Sequence, residues 1–144
     1  TGNSEYASAS KGAGIYALSR SGQPVSLTIK LIGENTITGS FGIYVNSELS
    51  ANSYGTDASL TITGESNGSL KVSGSSLGIW VKSGSGDASL TVENASVVAS
   101  TTSQFYSGVV VQSSVFSQNS PALSLAVNGG SLTASGGDGI SFNV

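Results

Sequence analysis

The sequence predicts an all-β fold, a right-handed parallel β-helix (a solenoid) with three strands per coil and about four complete coils. The first observation is a tetrad of glycine, an aliphatic residue, a variable residue and an apolar residue, which begins at Gly14, Gly42, Gly78, Gly108 and Gly139. The second is a Ser-Leu-Thr-Ile motif or a close variant, which begins at Ser26, Ser59, Ser89 and Ser124. The tetrads advance in steps of 28, 36, 30 and 31 residues, and the second motif in steps of 33, 30 and 35. Two motifs that advance together indicate a chain that winds.

The tetrad is the first strand of each coil. Its second and fourth positions are apolar and point inward, so its third position points outward. The inward positions predict a ladder that runs Ile15, Ile43, Ile79, Val109, Ile140. We expect the recurrent glycine at a corner of the coil, either because φ is positive there or because a Cβ has no room.

The second motif and a looser third segment supply the other two strands. Alternation in Ser-Leu-Thr-Ile turns the leucine inward, which predicts a ladder of Leu27, Leu60, Leu90 and Leu125. The third strands are expected at 36–38, 69–73, 96–100 and 131–135. Equivalent strands stacked about 4.8 Å apart would share one continuous core. Insertions at 46–58 and 112–123 are expected as loops at the corner that also holds Pro24 and Pro121.

Composition narrows the classes of function. Residues 1–144 fit a single domain or a segment of a longer solenoid with uncapped ends. The chain has no Cys, Met or His, so disulfides, thiol chemistry and a histidine base are excluded, and we predict no cofactor. A net charge of −3 with five basic residues argues against nucleic acid as a partner. No apolar run approaches the roughly 20 residues that span a membrane. Few charges and many small hydroxyl residues are typical of an extracellular or cell-surface location.

The coil length and the strand-turn-strand pattern resemble the right-handed parallel β-helix of the pectate-lyase-like superfamily. The alternation of Gly-Ile-x-Val with Ser-Leu-Thr-Ile is also similar to β-helical repeat segments of bacterial surface proteins, some of which bind carbohydrate. The resemblance covers almost the whole chain. The resemblance predicts the fold but says little about activity, because activity depends on the residues of a particular site and not on the fold alone.

Catalysis is not expected, and no catalytic residue is predicted. The single arginine, Arg20, stands apart from the acids, which are spread over different corners. Asp57 and Asp87 are the one matched pair, and in register they would lie about one coil apart. Two carboxylates are a thin ligand set for calcium, so we predict no metal site and favour a role in which each Asp bonds its own turn.

Tyr16, Tyr44 and Trp80 occupy the outward third position of consecutive tetrads. They predict an exposed aromatic stripe that contacts either a glycan or another subunit. The alternative is that rings in register stack on one another and stiffen the sheet. The outward hydroxyl ladder from Ser26/Thr28 to Ser124/Ala126 is similar to that of ice-binding solenoids, but Ala126 interrupts it.

Two functions follow as expectations. The first is a non-catalytic extracellular structural or adhesive solenoid that associates with itself end to end, as a filament or as part of a surface stalk. The second is a carbohydrate-binding module that uses the aromatic ladder on a surface polysaccharide. Ice binding is a remote third expectation.

Overall fold

The computed structural model describes residues 12–19, 23–47, 56–114 and 120–144. These residues form seven strands and no helix. The strands are β1 (Ile15–Ser19), β2 (Val25–Ser47), β3 (Ala58–Ser83), β4 (Ala88–Thr101), β5 (Val109–Ser113), β6 (Leu123–Ser135) and β7 (Ile140–Asn143). The longest strands bend at corners and cover more than one face, as the register shifts in β2 show at Ile32/Glu34 and Gly39/Phe41.

Every strand pair is parallel. The order is β1-β2-β3-β4-β6, and β5 lies between β3 and β7. The prediction of an all-β parallel solenoid is therefore confirmed. Val25 pairs with Ala58, Ala58 with Ala88, and Ala88 with Leu123, so the chain makes about three turns between Val25 and Leu123. The strand β1 and the last strands belong to incomplete turns on either side. The right-handed sense stays a prediction.

The predicted inward ladders pair in register. Ile15 lies beside Ile43, which lies beside Ile79, and the series continues through Val109 to Ile140. Leu27, Leu60, Leu90 and Leu125 form the second ladder in the same way. Like residues lie on like residues because the period-2 alternation and the coil length agree at each level.

The exposed fraction of an inward side chain depends on whether its coil lies in the middle or at the outside of the solenoid. The inward side chains of the middle coils, such as Leu60, Ile79 and Leu90, are fully buried. Leu27 and Leu125, in the outer coils, are only partly buried and pack against that core. A side chain with a coil on each side loses all contact with water, whereas one with a single neighbouring coil does not. Full burial of such a side chain is worth about 1.5–3 kcal/mol.

Most of the tetrad positions require glycine because a Cβ atom would have no room there. A Cβ at Gly42 would lie 2.6 Å from the Gly78 carbonyl oxygen, and one at Gly108 would lie 2.6 Å from the Ala99 carbonyl oxygen. At Gly139, in contrast, φ is +69°. Of the two alternatives that the sequence left open, lack of room holds at the first four tetrads and positive φ holds at the fifth.

The corner between the first and second strands holds both prolines outside the strands, as predicted. Parts of the two insertions expected there, residues 48–55 and 115–119, lie outside the described residues. The described part contains four buried serines in this corner, Ser47, Ser83, Ser85 and Ser113. The Ser83 and Ser113 hydroxyls both donate to the Gly86 carbonyl oxygen, at 2.6 and 3.0 Å. Neighbouring coils are thus joined by buried side-chain hydrogen bonds as well as by backbone pairing.

Candidate functional site

Tyr16, Tyr44 and Trp80 stack face to face on the outer side of consecutive levels. The ring centroids are 5.1 Å apart for Tyr16 and Tyr44, with an interplanar angle of 23°. For Tyr44 and Trp80 they are 4.4 Å apart, at 10°. Phe41 packs beside the stack, 5.5 Å from Tyr44 and 5.6 Å from Trp80. The three rings are half-buried, which corrects the prediction of an exposed stripe: each ring covers its neighbour. Their role as a glycan or subunit contact stays a prediction.

The stack ends at Trp80. The next two levels place Val110 and then Ser141 at the same outward position. The orientation of the indole is fixed from several sides. Its Nε1–H donates to Oε1 of Gln112 at 3.2 Å, and Nζ of Lys82 lies 5.6 Å from the ring centroid. One face of Trp80 lies against Tyr44, and the opposite face is turned toward the level at which no ring follows.

A groove of about 420 Å³ begins at this point. Trp80, Val110 and Ser141 form its floor, and Phe105 and Tyr106 line it from the neighbouring corner. Its volume lies in the range of small-ligand pockets, about 300–1,000 Å³. The smaller side chains at the last two levels of the outward file create the space.

The wall of the groove is a long corner. Seven residues, 101–107, separate the third strand of this coil from its tetrad glycine, whereas three or four residues do so in the other coils, at 39–41, 74–77 and 136–138. The Thr101 hydroxyl donates to the Ser76 carbonyl oxygen at 2.7 Å, and the Gly137 N–H donates to the Tyr106 carbonyl oxygen at 2.8 Å. The corner is therefore attached to the coils on both sides. Phe105 is nonetheless 92% exposed.

Sequence reasoning did not find this groove. The available signal was the length of the 101–107 corner together with two adjacent aromatic residues, Phe105 and Tyr106. Phe105 and Tyr106, at 92% and 53% exposure, place two adjacent aromatic side chains at the surface beside the groove.

Asp57 and Asp87 lie on neighbouring coils, as predicted. Oδ1 of Asp57 accepts from the backbone N–H of Asp87, and Oδ1 of Asp87 accepts from that of Ala122, both at 2.8 Å. Each carboxylate therefore bonds the next coil, and the expectation that it bonds its own turn was wrong. Within the described ranges, no group of three or more acidic side chains is placed to hold a metal ion.

The outward hydroxyl ladder is in register, and the Ser59 hydroxyl donates to that of Ser26 at 2.9 Å. Thr91 lies beside Ala126, so the threonine file stops before the last coil. The Lys30–Glu65 ion pair, at 2.7 Å, lies next to it. This face is an ordinary mixed polar surface, and ice binding stays a prediction without further support.

Comparisons with protein-family models, with curated proteins and with solved structures return no match for this chain. Among the residues described, no helix is long and apolar enough to cross a membrane. The parallel solenoid itself agrees with the β-helical part of the resemblance. The groove beside Trp80 and the partly exposed last coil are the two features from which a function can be argued.

Proposed function

We propose that this chain is a non-catalytic structural or adhesive solenoid of the cell surface or extracellular space that associates with itself through its last coil. The observation that carries this proposal is the loss of burial along the inward ladders. Val92, Val109 and Val111 are completely buried, whereas their register partners Val127, Ile140 and Phe142 are 41%, 38% and 50% exposed.

The physical reason is that, within the described residues, the coil of β6 and β7 pairs with a neighbouring coil on one side, through β4 and β5. A further coil placed on it would pair the backbones of β6 and β7 and extend both ladders, so that hydrogen bonding and apolar burial act together. The net charge of −3 over 144 residues provides little repulsion between copies.

Contact between the last coil of one copy and the first coil of the next joins two different surfaces. A contact of this type does not close on itself and builds a filament. The same contact would join this chain to further coils in a longer stalk. The similarity of the repeat pattern to β-helical segments of bacterial surface proteins, within the pectate-lyase-like superfamily, supports the same class of function.

The test is the mass of the chain in solution as its concentration rises, measured by sedimentation and light scattering. The wild type should form larger species, and Ile140→Lys should stop their growth by placing a charge in the exposed ladder. The matched control is Val98→Lys, at an exposed outward position of the middle coil. It should associate like the wild type. A monomeric wild type at high concentration, or equal loss of association in the control, would contradict the proposal.

A further inference from the structure

The aromatic stack is an incomplete series. Rings follow each other at 5.1 and 4.4 Å from Tyr16 to Trp80, and the next level carries Val110 instead of a ring. The groove occupies the place where a fourth flat group would lie. A planar ligand entering it would therefore stack on the face of Trp80 opposite Tyr44, at the same spacing as the rings before it.

The lining of the groove combines apolar and hydrogen-bonding groups. Trp80, Val110 and Phe105 supply apolar surface, and the amides of Gln112 and Asn143 supply donors and acceptors. A pyranose ring with equatorial hydroxyls has this same division: its faces carry only C–H groups and its edge carries the hydroxyls. We propose that the groove binds one residue of a neutral, β-linked glycan of glucose type, stacked on Trp80.

The charges around the groove affect neutral and acidic glycans differently. Asp138 lines the groove, whereas Lys82, whose Nζ lies 5.6 Å from the centroid of the Trp80 ring, is not among the described lining residues. A carboxylate accepts hydrogen bonds from sugar hydroxyls, but it repels the carboxylate of an acidic sugar at short range. A uronic acid should therefore bind more weakly than the corresponding neutral sugar.

The direction of the glycan follows from the orientation of Trp80. A sugar parallel to the indole lies perpendicular to the stacking direction, and the oxygens of a β-1,4 linkage lie close to the plane of the sugar. The chain must then cross the sheet toward the 101–107 corner, where exposed Phe105 can contact the neighbouring sugar residue. A glycan laid along Tyr16, Tyr44 and Trp80 is disfavoured, because those ring faces cover each other. The predicted ligand contacts are thus centred on Trp80 and Phe105.

Trp80 is the only tryptophan of the chain, so its fluorescence reports the groove directly. The experiment titrates the full chain with cellohexaose and, in parallel, with hexagalacturonate as the acidic probe. We expect a saturable change in Trp80 emission with cellohexaose at a dissociation constant of about 1 mM or lower. Affinity for hexagalacturonate should be at least about tenfold weaker.

Four variants, one of them a control, localise the binding. Val110→Tyr supplies the missing ring, and it should abolish binding; because Val110 is only 6% exposed, circular dichroism checks that the variant folds. Phe105→Ser should weaken binding by about tenfold, a change that corresponds to loss of one large contact. The matched control is Ile32→Ser, because Ile32 is 71% exposed at a different corner, and it should bind like the wild type. If Val110→Tyr is poorly folded, Gln112→Ala, which removes the hydrogen bond to the indole, should also weaken binding.

Four results would overturn the proposal. The first is no change in emission up to about 10 mM cellohexaose. The second is binding retained in both Val110→Tyr and Gln112→Ala. The third is tighter binding of hexagalacturonate. The fourth is a dimer that depends on Phe105, which would show that a second copy of the chain occupies the groove. None of these depends on association through the last coil, which Ile140→Lys tests separately.

Discussion

Substitution of Gly78 by alanine tests why the tetrad begins with glycine. The added Cβ would overlap the Gly108 carbonyl oxygen and lie 3.0 Å from both N and O of Ser100. All of these are backbone atoms of neighbouring coils. The Gly108 oxygen also accepts from the Ile79 N–H at 2.8 Å, so relief of the overlap strains a hydrogen bond between levels. Overpacking costs about 1–3 kcal/mol and a weakened hydrogen bond about 0.5–1.5 kcal/mol.

The expected destabilisation of Gly78→Ala is therefore about 2–4 kcal/mol, or a fall of about 10 °C in melting temperature for a chain of this size. Thermal and urea unfolding would be followed by Trp80 emission and far-UV circular dichroism. The matched control is Gly33→Ala, where φ is +64° and an added Cβ meets no atom within 4 Å. That variant has only the backbone cost, about 1 kcal/mol. A Gly78→Ala protein as stable as Gly33→Ala would refute the reasoning from space.

Two further predictions compare levels of the solenoid. Leu90 is fully buried between Leu60 and Leu125, so Leu90→Ala should lower the free energy of unfolding by about 3–5 kcal/mol. Leu125→Ala, in the last coil, should lower it by about half as much. Urea unfolding measures both values, and equal values would contradict the dependence on burial. Asp87→Ala should lower the free energy of unfolding by about 1 kcal/mol because the Ala122 N–H loses its partner, whereas Glu93→Ala, on the strand β4 that follows Asp87, should stay within about 0.5 kcal/mol of the wild type.

The fold could be predicted because its determinants are local and repeated. Alternation defines which side chains of Ser-Leu-Thr-Ile point inward, and the coil length brings Leu27 beside Leu60 without knowledge of any loop. Parallel pairing in register follows from these two properties, since a slip of one residue would exchange the buried and exposed faces. The registers of the tetrad and of the second motif were both correct for this reason.

The candidate site could not be predicted in the same way. The position of Trp80 follows from the register, but the face-to-face arrangement with Tyr44 depends on side-chain torsions that the alternation does not determine. The groove depends on the 101–107 corner, whose length breaks the repeat. The hydrogen bond from the Asp87 N–H to Asp57 crosses coils, so a rule for single turns assigned that carboxylate to the wrong neighbour.

The likeness of the levels has a consequence for folding errors. β3 and β4 begin with Ala-Ser-Leu-Thr followed by Ile or Val, so β2 would accept β4 in place of β3 and leave out one coil of 30 residues. The leucine ladder would be intact in such a misthreaded chain. What would change is the aromatic file, because Tyr44 would then lie against Val110 and lose its stacking on Trp80, worth about 0.5–1.5 kcal/mol. The aromatic stack therefore favours pairing of β2 with β3, whereas the leucine ladder would be the same with either strand.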